Sequence, residues 1–578
     1  MPRQTYTKNE VTSWPIPNYW DAVALCFVVA LLVLLGWGAK EMLVQFNVGQ
    51  QTSISLNPAY LPYYALRSVL RMLIALGFSL IFTFIFGSWA AKSRSAEKLI
   101  IPLIDILQSV PVLGFLTITV PAFILLFRGS MLGPEAAAIF AIFTAQVWNM
   151  ALSLYQSIKT VPSELTEAGL MFRLSPWQKF WRIDTPFAMP GLIWNMMMSM
   201  SCSWVFLVAS EAISVAGHHI NLPGVGSYIA LAILQKDKMA ILYSIITMLL
   251  VILIYDQILF RPLVAWSQKF RASIDEDDDE PESWILNLFQ RTAFFNFIGA
   301  SVGWAADRFV NLSILRNAPA RRYYEPNETW RRIFAILWSS ALALGLIASV
   351  LILFLFIKHS VPFSEIVHTF YLGAVTALRV LIIILISSII WVPIGVWVGS
   401  KAKVAQVVQP IAQFLAAFPA NLLFPIVFML IVKYHLSVNI WVSPLMVLGT
   451  QWYILFNVIA GASSLPKNLR QAVGTLNVTG WLWWRKFMLP AIFPYYITGA
   501  ITAAGGAWNI SIIAEAVQWG NQQLDATGLG AYITQVATKG SFEQLVLGIS
   551  VMSLYVLAFN HFLWKPLYNL AEERFQIL

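Results

Sequence analysis

Pro162-Ser163-Glu164-Leu165-Thr166-Glu167-Ala168-Gly169-Leu170 is followed by Trp177, Phe180-Trp181-Arg182-Ile183 and Pro186. The passage returns as Pro466-Lys467-Asn468-Leu469-Arg470-Gln471-Ala472-Val473 with Trp481, Trp484-Arg485-Lys486-Phe487-Met488-Leu489 and Pro490, its landmarks 304 positions on. Each copy opens behind a proline, which suits the first turn of a helix. Each then breaks at a polar turn, Leu174-Ser175-Pro176 or Val478-Thr479-Gly480, and resumes as a basic, aromatic helix that runs into a second proline. The expected shape is a short helix, a turn and a second short helix, forming a rigid knob that the chain builds twice.

The same displacement holds outward from the knobs, where Trp148, Trp204, Glu211, Gly226 and Tyr228 recur as Trp452, Trp508, Glu515, Gly530 and Tyr532. Upstream, Leu70-Arg71, Gly87, Trp89, Pro102 and Pro111 recur as Leu378-Arg379, Gly395, Trp397, Pro410 and Pro419, shifted by 308. One four-residue length change between Pro111 and Trp148 separates the registers. Two equivalent units fused head to tail, related by a pseudo-twofold axis, are the expected consequence.

Hydrophobic residues make up 58% of the 578 positions and charged residues 11%, with mean hydropathy +0.70; a soluble domain carries roughly 25% charge. A water-soluble protein is excluded. A bilayer span takes about 20 apolar residues. Such stretches lie near 21–39, 64–91, 101–127, 134–158, 187–214 and 239–260, and again near 332–357, 370–399, 409–432, 438–462, 491–516 and 543–564. The expected fold is all-α and polytopic, about twelve transmembrane helices arranged as two six-helix repeats. An even number of spans per unit makes the repeats parallel. The expected division is 1–63 as an N-terminal segment with the first span, 64–265 as one repeat, 266–330 as a linker and 331–578 as the second repeat.

Lys92, Arg94, Lys98, Lys159, Arg173, Lys179, Arg182, Arg261, Lys269 and Arg271 fall in alternate loops, as do Lys401, Lys403, Lys467, Arg470, Arg485 and Lys486. By the excess of basic residues on the inner side, those loops and both termini are cytoplasmic. The net charge of +9 therefore reports topology and not nucleic-acid binding. The run Asp275 to Glu280 marks a solvated cytoplasmic joint. After it Trp284, Ile285, Leu288, Phe289, Phe295 and Ile298 recur at roughly helical spacing, as in a helix lying in the interface plane; the alternative is a hydrophobic segment packed on the first span of the second half. Asn18 to Trp37 lacks a small-residue cleavage site and reads as a span and not a cleaved signal. Cys26 and Cys202, both within apolar stretches, form no disulfide framework.

The paired knobs resemble the EAA loop of binding-protein-dependent ABC importer permeases, and the resemblance covers about 65–260 and 370–570. The prolines Pro102, Pro111, Pro410 and Pro419, and the tails Leu222-Pro223-Gly224-Val225-Gly226 and Gly528-Leu529-Gly530, look most like permeases for nitrate, sulfonates, taurine and related small anions. The resemblance implies a type I importer fold in a bacterial plasma membrane, the inner one where there are two. It also implies that each knob is a coupling helix docked on a separate cytoplasmic ATPase. The implied coupling residues are Glu167, Ala168, Gly169 and Arg173 in the first unit and Gln471, Ala472, Val473 and Asn477 in the second. The family's glycine falls on Arg173 and Asn477, and its leading glutamate on Gln471 in the second unit. If that glycine position is left-handed, Asn tolerates it while Arg costs about 1–2 kcal/mol. Implied partners are two ATPase subunits, which hold ATP and Mg, and an extracytoplasmic solute-binding protein, besides membrane lipid.

No glycine precedes a lysine, so the Gly-Lys pair of phosphate-gripping loops is absent. The chain is expected to bind no cofactor and no metal and to carry no catalytic residues. His218-His219 reads as part of an outer loop, since neighbouring residues do not share a face. A polar group within hydrocarbon is costly unless it faces protein or water. Trp204 and Glu211 lie two helical turns apart on one face, as do Trp508 and Glu515. With Gln108, Gln146, Asn149, Asn421 and Gln451 they are the candidate lining of an asymmetric central pathway, though Glu211 and Glu515 read equally as structural carboxylates that reach water or bind a neighbouring backbone. The sequence thus reads as both membrane halves of an ATP-driven importer of a small polar, anionic solute working by alternating access. The rival is a secondary transporter with parallel six-plus-six repeats, a class without a proline-bounded helix-turn-helix between its fourth and fifth spans.

Overall fold

A computed structural model describes residues 54–110, 112–215, 218–270, 292–312, 328–465, 467–519 and 522–575, with scattered positions before 54 and at 285–286. The expected first span near 21–39 falls mostly outside the described residues, and the acidic run 275–280 entirely so. In the first unit the helices are α1 (Pro58–Lys92), α2 (Arg94–Ser109), α3 (Val112–Leu126), α4 (Leu132–Lys159), α5 (Ser163–Met171) and α6 (Pro176–Glu211). A hairpin of β1 (Ala212–Val215) and β2 (His218–Asn221) leads to α7 (Val225–Leu234) and α8 (Lys238–Ser267). Helix α9 (Ala293–Val310) lies in the linker. The second unit repeats the order as α10 (Glu328–Ser360), α11 (Phe363–Gly399), α12 (Lys403–Ala417), α13 (Ala420–Lys433), α14 (Val438–Ser463), α15 (Lys467–Thr475) and α16 (Gly480–Ala514). The strands β3 (Ala516–Trp519) and β4 (Gln522–Asp525), then α17 (Leu529–Lys539) and α18 (Phe542–Ala571), complete it.

Among the described residues eight helices are long and apolar enough to cross a membrane, nine if α12 and α13 count as one span. The chain is a polytopic, two-repeat, all-helical membrane protein apart from the two hairpins. The stretches expected as single third spans are each divided. Pro111 and Pro419 lack an N–H and push the residue before them out of helical geometry, and Val110 and Phe418 are extended at ψ 128° and 126°. Lys403–Ala417 and Ala420–Lys433 consequently meet at 72°. Pro102 and Pro410, by contrast, sit inside continuous helix.

The core is built where α4 packs along α6 and α14 along α16. Each break meets the fifth span of the opposite unit. The Val112 amide donates to Asn509 Oδ1 on α16 at 2.8 Å, and Asn421 Nδ2 donates to the Val205 carbonyl on α6 at 3.3 Å. The halves are thus sewn together by asparagine side chains, one accepting from the amide freed beside the Pro111 break and one reaching a helix carbonyl of the opposite unit. Helix α4, 28 residues and about 40 Å long at 1.5 Å per residue, runs from the hairpin end of the molecule to the knob end.

The outer loop expected around His218-His219 is a β-hairpin, with His218 opposite Val215 and His219 opposite Ser214. Its twin pairs Trp519 with Gln522. These hairpins satisfy their own backbone groups next to the apolar slab, where a plain loop would leave them unpaired. In the linker, Phe295 and Ile298 belong to α9, whereas Trp284, Leu288 and Phe289 lie outside the described residues.

Candidate functional site

The knobs close as the sequence pattern requires. Arg173 and Asn477 are both left-handed, at φ 51° and 47°. In each knob the next amide reaches back over the turn, Leu174 to the Gly169 carbonyl at 3.0 Å and Val478 to the Val473 carbonyl at 3.3 Å. This is the Schellman closure of a helix C-terminus, a position where glycine usually sits. The first knob also has a capping box: the Ser175 hydroxyl accepts from the Gln178 amide and Gln178 Oε1 accepts from the Ser175 amide at 3.0 Å. Thr479 supplies no such cap in the second.

Glu167, Arg173, Gln471, Ala472 and Asn477 are exposed, Ala168 and Val473 half-buried, and Gly169 buried with its Cα against Ile183. The tips are apolar and bare. Met171 and Phe172 are 85% and 78% exposed, and Leu476, the counterpart of Phe172, is 74% exposed. Helix α9 covers the flank of the first knob only. Phe309 packs edge-on against Trp177 and Trp181, Trp177 Nε1 donates to the Phe309 carbonyl, and Gln178 Nε2 donates to Asn311 Oδ1 at 2.9 Å. Trp481, the counterpart of Trp177, is 72% exposed.

At the opposite end of α4 and α6, Glu211 and Glu515 do not reach an open path. Both are fully buried in ion-paired locks. Glu211 accepts from Arg71 Nη1, Ser68 Oγ and the Gly226 amide, each at 2.6 Å. Arg71 continues to Glu135 and to the Pro223 carbonyl, and Arg67 joins Glu135 at 2.5 Å. In the second unit Glu515 pairs with Arg379 and accepts from Thr376 Oγ1 and from the Gly530 amide at 2.7 Å. Arg379 donates to the Thr527 carbonyl, at the position matching Pro223. The glycines of both tails follow directly, because a Cβ on Gly224, Gly226, Gly528 or Gly530 would overlap the buried carboxylate or the helix carbonyl beneath it. The six buried charges of the two locks are tolerable there only because each has a partner of opposite sign.

Gln108, Asn149 and Trp508 line one cavity of about 170 Å³ between α16, α18 and the first unit. Gln146 lies buried beside Ser79 and Met72, Gln451 accepts from Trp391 Nε1, and Asn421 is spent on the Val205 carbonyl. Trp204 stands edge-on to Tyr255 against a much smaller pocket. Reading the sequence missed Arg67, Ser68, Arg71, Glu135, Thr376 and Arg379. The signal was present, since an arginine recurring in an apolar span requires a carboxylate partner.

A two-repeat helical membrane protein with paired knobs on one face and sealed locks on the other is a multi-pass permease. Residues 83–260 and 391–563, more than half of the chain, each match the family described as binding-protein-dependent transport system inner membrane component, and the chain belongs to that family. Among similar curated proteins, the glycine betaine/carnitine transport permease protein GbuB of Listeria monocytogenes is 28% identical over 30% of this chain and 56% of its own. The nitrate import permease protein NrtB of Leptolyngbya laminosa is 25% identical over 33% of this chain and 65% of its own. The bicarbonate transport system permease protein CmpB of Synechococcus elongatus is 24% identical over 34% of this chain and 65% of its own. The chain thus spans between about half and two thirds of the length of these relatives.

Proposed function

We propose that this chain supplies both membrane halves of an ATP-driven importer, with knobs and termini in the cytoplasm and the hairpins outside. Two ATPase subunits hold ATP and Mg and grip the knobs, an extracytoplasmic binding protein delivers the solute, and the halves alternate access to it. The observation that carries this reading is the pair of knobs closed by the same left-handed turn and tipped with bare apolar side chains. Exposed apolar groups of that size on a rigid, projecting element favour a protein partner. A secondary transporter has no use for them.

The solute in this reading is small, polar and anionic, of the nitrate, sulfonate or taurine kind. Its support is that the described lining of the larger cavity holds no carboxylate, while Glu211 and Glu515 are ion-paired inside the locks. The relatives are named for nitrate, bicarbonate and betaine, which all carry an oxyanion group.

The deciding experiment replaces Ala168 and Ala472 by arginine together and follows recovery of an ATPase with the affinity-purified permease. Recovery should fall at least tenfold while membrane insertion is unchanged. Full recovery from the double variant, or uptake that proceeds in vesicles without ATP, overturns the proposal.

A further inference from the structure

The cavity has a twin. Met197, Met200, Ser201, Trp204, Tyr255 and Phe260 line a pocket in the first unit, and the residues 304 positions on line the larger cavity. The two differ in what fills them. Ala504 stands where the first unit has Met200, and Gly505 where it has Ser201. The second-unit cavity measures about 170 Å³, whereas its twin measures about 20 Å³, room for one water at most.

The polar groups differ too, since the open cavity exchanges the twin's carboxylate for an amide and its phenyl ring for an indole. Trp564 occupies the place of Phe260, and Asn560 that of Asp256, at the two ends of matching π-helical turns at Asn560–Trp564 and Asp256–Phe260. A π turn re-aims side chains out of the ordinary helical stripe and recurs at functional sites. Both Trp508 Nε1 and Trp564 Nε1 are buried without a hydrogen-bond partner among the described residues, although both side chains line the cavity. Buried donors are nearly always satisfied. An indole N–H donates and cannot accept, so whatever completes these two groups must present acceptors. Trp508 is held in place by Tyr555 and Phe559, at ring distances of 6.2 and 6.0 Å.

We propose that the solute seat is this single cavity, walled by α16 and α18 of the C-terminal half and by the first unit, where an oxyanion group accepts hydrogen bonds from the indoles of Trp508 and Trp564, and that its N-terminal twin is plugged by Met197 and Met200. The oxyanion is either a small inorganic anion or the carboxylate of a zwitterion. The proposal rests on the importer reading and gives it a binding residue pair.

The test uses the full-length permease in lipid nanodiscs, titrated with nitrate, bicarbonate or glycine betaine against chloride at matched ionic strength, with thermal unfolding as the readout. At least one probe should raise the unfolding temperature saturably; the responding probe separates the two sources of oxyanion. Trp564→Phe, which copies Phe260, should raise the half-saturating concentration about tenfold, the loss expected for one charge-assisted hydrogen bond. Ala504→Met should abolish the response by filling the cavity as Met200 fills its twin, and Met200→Ala should leave it unchanged. Wild-type protein that responds to none of the three probes overturns the seat. So does a Met200→Ala response weakened as much as that of Trp564→Phe. Should anion binding fail while ATPase recovery still depends on Ala168 and Ala472, the seat is wrong and the importer reading stands; the reverse pattern removes the importer reading and leaves the seat.

Discussion

Glu515 has one basic partner, Arg379, whereas Arg71 is shared between Glu211 and Glu135. Where Glu135 stands in the first lock, the position 304 further on is Asn439, whose side chain accepts from the Thr527 amide at 2.7 Å. Where Arg67 stands, the second unit has Val375. Removing one member of a buried pair costs about 3–5 kcal/mol because the other charge is left without compensation. Glu515→Gln should therefore approach that full loss, measured by thermal or denaturant unfolding of the purified permease. Glu211→Gln should cost less, since Arg71 keeps Glu135. Equal losses would show that Glu135 does not compensate. Of the lock carboxylates, Glu211 and Glu515 were legible in the sequence as intramembrane glutamates on one face with a tryptophan, and Glu135 was not. Their partners were not, because Arg71 lies 140 positions from Glu211 and only the folded chain brings the two together. Polarity alone does not separate a residue that lines a path from one that closes a lock.

The knob was legible down to its turn, because a helix of nine residues must end somewhere and the family's glycine position fell on Arg173 and Asn477. Both turned out left-handed. Arginine there carries roughly 1–2 kcal/mol of backbone strain that asparagine largely avoids. Arg173→Asn should thus stabilise the first knob by about 1 kcal/mol, and Arg173→Val should destabilise it; hydrogen exchange of the α5 amides reads both. An unchanged exchange rate in Arg173→Asn would mean that the strain is relieved elsewhere. What the pattern did not reveal was the division of the third spans, since hydropathy runs unbroken through Pro111 and Pro419 and gives no weight to the residue before each proline. It also gave no hint that α9 rests on one knob only, because Phe309 and Trp177 are joined by a contact 132 positions long in sequence.

At the scale of the molecule, a sequence repeat became a structural one: locks, hairpins, knobs and the π-helical turns at Phe180–Asp184 and Asp256–Phe260 return in order. The parts that keep the fold standing were copied closely, as with Ser68 and Thr376, which each accept from the backbone amide after a glycine. The knobs and the pockets diverged. Among the described residues one knob has its flank covered by α9 and the other does not, and one pocket is filled while the other is open. A permease assembled from two identical copies could not have drifted apart in this way, since every change would appear on both sides of the axis. The unequal pockets have a kinetic corollary. Cooperativity in a saturation curve needs more than one occupied position per molecule. With a single vacancy between the twins, uptake rate against solute concentration should trace a rectangular hyperbola with a Hill coefficient of about one, and each stroke of the motor should carry one passenger across.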